Sequence, residues 1–156
     1  MNTTTQPMAA MLDWGTRLRG WLEALQPPAQ LAARLYVAQA FFASGLTKLR
    51  DWDITIALFQ DEYHVPLLPP EVAALMGTGG ELVLPVLLVL GLFGRFAAFG
   101  LSIVNVVAVL SLAEIAPAAL QQHVFWGSLL AALVLWGPGR WSADAWWWPR
   151  AMHGRA

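Results

Sequence analysis

A single carboxylate in the middle of an apolar stretch constrains this chain most. Between Pro70-Glu71 and Gly91 the sequence is almost wholly apolar, yet Gly77-Thr78-Gly79-Gly80-Glu81-Leu82-Val83-Leu84-Pro85 lies at its centre. About 20 residues at ~1.5 Å each are enough to cross a bilayer. Glu81 is about 10 residues from each end, hence roughly 15 Å deep. A carboxylate at that depth costs ~2.5–3.5 kcal/mol on insertion scales. Pro85 has no N–H, so the carbonyl four residues back, that of Glu81, loses its helical partner. Three glycines upstream permit close helix approach or local unwinding. A buried acid, a free carbonyl and a soft helix at one depth make a candidate functional site.

The rest of the composition points the same way. Hydrophobic residues make up 58% and charged residues only 12% of the 156, about half the charge of a soluble chain. The apolar residues come in long blocks, which predicts a polytopic membrane protein with one membrane domain. There is no cysteine, which excludes disulfides, thiol redox chemistry and thiolate metal sites. A net charge of −1 gives no reason to expect nucleic acid as a partner. Met1–Gln30 lacks the continuous apolar core and small-residue cleavage pattern of a secretory signal.

Taken in order, the chain divides into three parts. Residues 1–28 hold a polar tail and then Met8, Met11, Leu12, Leu18, Trp21, Leu22 and Leu25 at helical spacing. This reads as an amphipathic helix lying in the membrane interface, or one packed on a soluble partner, ended by Pro27-Pro28. Residues 29–140 hold four spans, about 29–49, 71–91, 96–112 and 119–136. Asp51 or Asp53 can cap a short helix through about Tyr63 in the only sizeable loop, after which Val65 to Pro70 is expected to be extended. Residues 141–156 carry Trp141, Trp146, Trp147 and Trp148, which suits a tail lying at headgroup level. The fold class is therefore all-α: a membrane four-helix bundle with an N-terminal interfacial helix.

Basic residues orient these spans. Arg17, Arg19, Arg34, Arg95, Arg140, Arg150 and Arg155 fall on one side, against Lys48 and Arg50 on the other. This places both termini in the cytoplasm of a cell (inner) membrane protein. The loop with Asp51, Asp53, Asp61, Glu62 and Glu71 then faces outward.

Depth decides which polar groups can meet. Asn105 is as deep in the third span as Glu81 in the second, so a hydrogen bond between them is expected. Arg34 and Lys48 are almost four turns apart and share a face of the first span. Both can snorkel to opposite interfaces or point inward. Helical side chains lean toward their own N-terminus, which brings Glu81 toward Lys48 and takes Arg34 toward the cytoplasm. Alternatively, Glu81 is protonated and only hydrogen-bonded in a packed bundle. On the outer side, His64, Glu114 and His123 are weak candidates for a divalent metal site or a proton path. His153, in the tail, suggests no specific role. No phosphate loop, nucleophile elbow, zinc helix motif or pair of haem histidines is present.

Several stretches together resemble the DoxX family of small four-helix membrane proteins. Leu31-Ala32-Ala33-Arg34-Leu35 with Phe42-Ala43-Ser44-Gly45-Leu46-Thr47-Lys48-Leu49 is similar to the family's opening. Glu81 followed by Leu87 to Arg95 and Ala97-Ala98 is similar to its second hairpin, and Gly137-Pro138-Gly139-Arg140-Trp141-Ser142-Ala143-Asp144 to its closing pattern. The resemblance covers roughly residues 30–148 and implies a polar set at Arg34, Lys48, Glu81 and Arg95. It also implies a link to quinone-linked sulfur oxidation, to redox-stress complexes or, through the loop residues Leu58 to Pro66, to metal-stress peptide systems. Three functions follow as expectations. The first is an accessory subunit of a membrane redox or stress-response system, touching quinone as its one expected cofactor. The second is a small carrier or metal-handling protein, and the third a non-catalytic assembly partner. All three expect contact with the lipid bilayer and with a membrane protein partner or a second copy of the chain.

Overall fold

The computed structural model describes residues 5–147, with side chains from residue 13 onward. The chain is all-α: α1 (Thr5–Arg50), α2 (Trp52–Asp61), α3 (Pro70–Leu90), α4 (Gly94–Leu110) and α5 (Pro117–Trp136). Among the described residues two helices, α3 and α5, are long and apolar enough to cross a membrane, while Gly94–Leu110 is a shorter apolar helix. The N-terminal tail and the segment from Trp148 to Ala156, with Arg150, His153 and Arg155, lie outside the described residues.

Long helix α1 packs on α3, α3 on α4, α4 on α5, and α5 returns to touch α1, with short α2 seated on α3. Small residues allow this. A Cβ added at Gly45 would lie 2.9 Å from the Leu82 side chain and 3.1 Å from Glu81 Cβ. Only glycine at position 45 lets the backbone of α1 come this close to α3. The core is Val37, Phe41, Leu88, Ala97, Ala98, Leu101, Leu130 and Leu133, contributed by four different helices. A second cluster of Phe59, Ala73 and Ala74 holds α2 against the first turns of α3.

Helix ends follow from local chemistry. Asp51 caps α2, its Oδ1 accepting from Ile54 N at 3.0 Å. Prolines open α3 and α5 at their first turns, where a missing N–H costs nothing. Gly91, at φ +64°, closes α3. Leu92 N donates to Leu87 O at 3.0 Å and Gly91 N to Leu88 O at 3.1 Å, the paired bonds of a Schellman ending.

Two local expectations are corrected, and one pair of alternatives is decided. Pro27-Pro28 does not end the first helix, for α1 runs through both prolines. Pro27 is buried where the packed part of α1 begins, while Asp13 to Gln26 are exposed all round. Two adjacent prolines there act as the first turn of the packed segment and free only the carbonyls of Glu23 and Ala24. Of close approach and unwinding at the glycine-rich centre of α3, unwinding does not occur: the helix is continuous through Gly77–Gly80 and Pro85, and a Cβ added at Gly80 would lie 3.3 Å from the Val104 side chain of α4. The stretch from Val65 to Pro70 is not extended throughout. Pro66-Leu67 makes a turn with Leu67 at φ +67°, the left-handed position that follows proline in a type II turn.

Candidate functional site

Lys48 and Glu81 face each other across the α1–α3 contact. Lys48 Nζ lies 2.7 Å from Glu81 Oε1 and 2.5 Å from Oε2, and also donates to Ser44 Oγ at 3.1 Å. The two side chains are 19% and 9% exposed, so little water screens the pair. Gly45 produces this arrangement, because its missing Cβ lets α1 approach at the level of Glu81. Both ends of the ammonium–carboxylate contact are charge-assisted and short.

The pair stands on the wall of a cavity of about 540 Å³ between α1, α3, α4, α5 and the segment after α2. Most of that wall is apolar, with Phe41, Phe59 and Val104 among its residues; Tyr63, His123 and Trp126 add polar edges. Trp126 packs its ring on Phe41 at 5.6 Å and on His123 at 5.2 Å. Its Nε1–H is buried and has no hydrogen-bond partner among the described residues. A buried donor without a partner is costly. Tyr63 packs on Phe59 at 5.1 Å, and its phenol is pushed above the usual 10.0, first by burial and then by the Glu62 and Glu81 charges.

Asn105 does not meet Glu81. Its Nδ2 donates to His123 O at 3.0 Å and its Oδ1 is 2.8 Å from His123 Nδ1. His123 therefore carries its hydrogen on Nδ1 and keeps Nε2 as an acceptor. The same spacing logic that put Asn105 at the right depth could not say which face of α4 it occupies. His64, Glu114 and His123 do not converge either. His64 is in the loop, its N–H donating to Ser111 O at 2.8 Å and its Nδ1 lying 3.2 Å from Glu62 O, and Glu114 is exposed. Among the described residues no group of three or more His, Cys, Asp or Glu side chains is placed to hold a metal ion.

Arg34 and Arg95 belong to the opposite end of the molecule. Arg34 is fully buried and does not snorkel. Its Nη1 donates to Leu88 O at 3.4 Å and Val89 O at 3.1 Å, and its Nη2 donates to Trp141 O. It thus caps the C-terminal carbonyls of α3 and ties them to the segment after α5. Asp144 completes the knot: its carboxylate accepts from Phe93 N at 2.8 Å and Gly94 N at 2.7 Å, capping α4 from a distant part of the chain. Arg95 reaches Leu135 O at 3.3 Å. The polar set Arg34, Lys48, Glu81 and Arg95 is thus two sites, a helix-end clamp and a charged cavity wall. Sequence reading named Trp126 with Phe41 and Phe42 as aromatic support for a quinone, but it gave no role to the clamp residue Asp144 or to the cavity residue Tyr63. Aspartate beside a Gly-Pro-Gly turn was the available signal for a distant cap.

The DoxX family matches residues 29–114, more than half of the chain, and the chain belongs to that family. With its apolar helices it is a DoxX-like membrane protein in contact with the lipid bilayer. The matched region contains α2, α3, α4, Lys48 and Glu81; α5 and the Asp144 clamp lie beyond it. No curated protein matches the chain, and no solved structure does.

Proposed function

We propose that the chain is a four-span bundle of the inner membrane, both termini cytoplasmic, that holds a quinone-type ligand as an accessory part of a membrane redox system. The observation that carries this is the Lys48–Glu81 pair on the wall of a largely apolar cavity. About 540 Å³ is within the range of small-molecule sites, which combine apolar walls with a few polar groups that orient the ligand. A quinone ring needs donors at its carbonyls and flat apolar surfaces on its faces. The Trp126 indole N–H is a donor of the right kind, the Lys48 ammonium adds a positive charge on the wall although its hydrogens lie toward Ser44 and Glu81, and Phe41, Phe59 and Trp126 offer the faces. Glu81 and His123 Nε2 add proton acceptors.

The test is purification in mild detergent with extraction and quantification of bound quinone. Wild-type protein is expected to retain quinone or to take it up when added. Trp126→Phe is expected to weaken binding about tenfold, the value of one donor at ~1.4 kcal/mol. Wild-type protein that neither retains nor binds quinone overturns the reading.

A second reading, an assembly partner without chemistry, is favoured by one observation. Trp14, Leu18, Trp21, Leu22 and Leu25 on the N-terminal part of α1 are all exposed. They recur at helical spacing and suit a membrane interface or another protein. Native mass spectrometry that finds one stoichiometric protein partner, and no quinone, favours this second reading.

A further inference from the structure

The Lys48–Glu81 pair borders two cavities. Beyond the large one lies a pocket of about 280 Å³ whose wall includes Thr47, Thr55 and Tyr63. Ser44, Lys48, Phe59 and Tyr63 belong to both walls, whereas Glu81 faces only the large cavity and Thr47 and Thr55 only the small one. Lys48 therefore stands at the partition, at the end of α1 that is covered by α2.

The hydrogen bonds of the small pocket have a direction. Thr47 Oγ1 donates to Ala43 O at 3.0 Å. Thr55 Oγ1 donates to the carbonyls of Lys48 and Asp51 at 2.8 and 2.9 Å. Ser44 Oγ accepts from Lys48 Nζ. A hydroxyl has one hydrogen, so the two threonines have only lone pairs left to offer the pocket. Water, which can donate to these oxygens and accept from the Tyr63 hydroxyl, fits this part of the lining, and the pocket is large enough to hold it.

The geometry points to a proton-access route, in which the hydroxyl-lined pocket admits water from the α1–α2 side and exchanges protons with the Lys48–Glu81 pair on the wall of the ligand cavity. This rests on the ligand site and topology proposed above, which place that side outside the cell. The step runs through Lys48, the member of the pair that lines the pocket: its ammonium passes a hydrogen-bonded proton to a Glu81 carboxylate oxygen, the amine takes the proton of a hydronium ion in the pocket, which leaves as water, and the pair goes from neutral to singly positive. The reverse step restores it. Lys48 from α1, Glu81 from α3, Tyr63 from the segment after α2 and His123 from α5 are the titratable groups on the two walls; α2 and α4 contribute none. In this route, acid–base exchange at the pair is fed from the α1–α2 side.

Because the chain has no cysteine, single-cysteine variants report water access directly. Ser44→Cys and Thr47→Cys probe the pocket, Asp53→Cys probes the loop helix, and Gly79→Cys probes a position where an added Cβ meets nothing within 4 Å. Intact cells are treated with a membrane-impermeant anionic methanethiosulfonate, which reacts with thiolate in water. The pocket cysteines are expected to react from outside within about tenfold of Asp53→Cys, and Gly79→Cys to stay unlabelled. Pocket cysteines as inert as Gly79→Cys overturn the route. An Asp53→Cys that reacts only from the cytoplasmic side overturns the outward direction and the topology with it. Labelled pocket cysteines in a protein that binds no quinone keep the route and overturn the ligand reading alone. In oriented proteoliposomes, an outer pH jump should change an infrared carboxyl signal that Glu81→Gln lacks. Ser44→Ala with Thr47→Val should slow that change about tenfold, ~1.4 kcal/mol of barrier. An unchanged rate overturns the route.

Discussion

At the scale of single residues, Glu81 and Arg34 show two ways of keeping a charge inside an apolar bundle. Glu81 is neutralised by a bidentate Lys48; Arg34 is spread over three carbonyl oxygens. Removing one half of a buried pair strands the other, which costs about 3–5 kcal/mol. Glu81→Gln is therefore expected to lower stability in detergent by about that amount. The double variant Lys48→Met/Glu81→Leu should recover most of it, since apolar replacement of both partners is close to neutral. If the double variant regains stability and still binds no quinone, the pair serves the ligand; if it regains both, the pair is only a pin. Tyr63 gives a pH prediction. Its phenol has a raised pKa in the folded protein, so its contribution to stability is present at neutral pH and is lost as pH rises through the raised value. Ultraviolet titration should show one of the two tyrosines ionising late, and Tyr63→Phe should remove that phase.

Among the elements, the α3–α4 turn depends on residues more than forty positions away. Gly91, Phe93 and Gly94 are held by Asp144, and Asp144 N itself donates to Gly91 O at 2.9 Å. A Cβ at Gly91 would overlap Ser142 and the Arg34 guanidinium. Gly91→Ala is strained twice, by its left-handed φ and by this overlap, and is expected to cost about 2–4 kcal/mol. Asp144→Asn keeps the shape of the cap but weakens its charge-assisted bonds, for an expected loss of about 1 kcal/mol. Limited proteolysis after Trp136 checks both: cleavage should speed up in each, and more in Gly91→Ala. Unchanged cleavage in Gly91→Ala would mean that the closing segment is held by something other than this clamp.

For the whole molecule, the division of labour between the two ends carries the functional reading. One end joins α1, α3, α4 and the segment after α5 through Arg34 and Asp144, and makes them a single body. The other end leaves room, and that room contains the charged pair and the aromatic walls. A ligand in such a cavity stabilises the folded state by mass action. Added quinone is expected to raise the thermal midpoint of wild-type protein, by about 2.7 kcal/mol of stability at a hundredfold excess over Kd. It should raise that of Lys48→Met/Glu81→Leu much less. Equal shifts in both proteins would place the ligand elsewhere.

Much of this was legible in the chain itself. The apolar blocks, Pro70, Gly91, Pro117 and Gly137 define α3 and α5 by length and punctuation, because in lipid a backbone must satisfy itself as helix. The lone acid at position 81 announced a polar site, because nothing else in that span justifies its cost. Other features could not be read along one dimension. Pro27-Pro28 looked like a stop, yet a proline pair is also a helix start, and only packing of the following segment decides between them. Asn105 had the right depth for Glu81, but rotation about α4 turned it to His123. Depth follows from counting residues, whereas facing follows from how helices pack. Sequence determined which segments are helices and which charges must be buried. Tertiary structure decided which neighbours neutralise them, because partners in space are set by interhelical contacts that no single helix encodes.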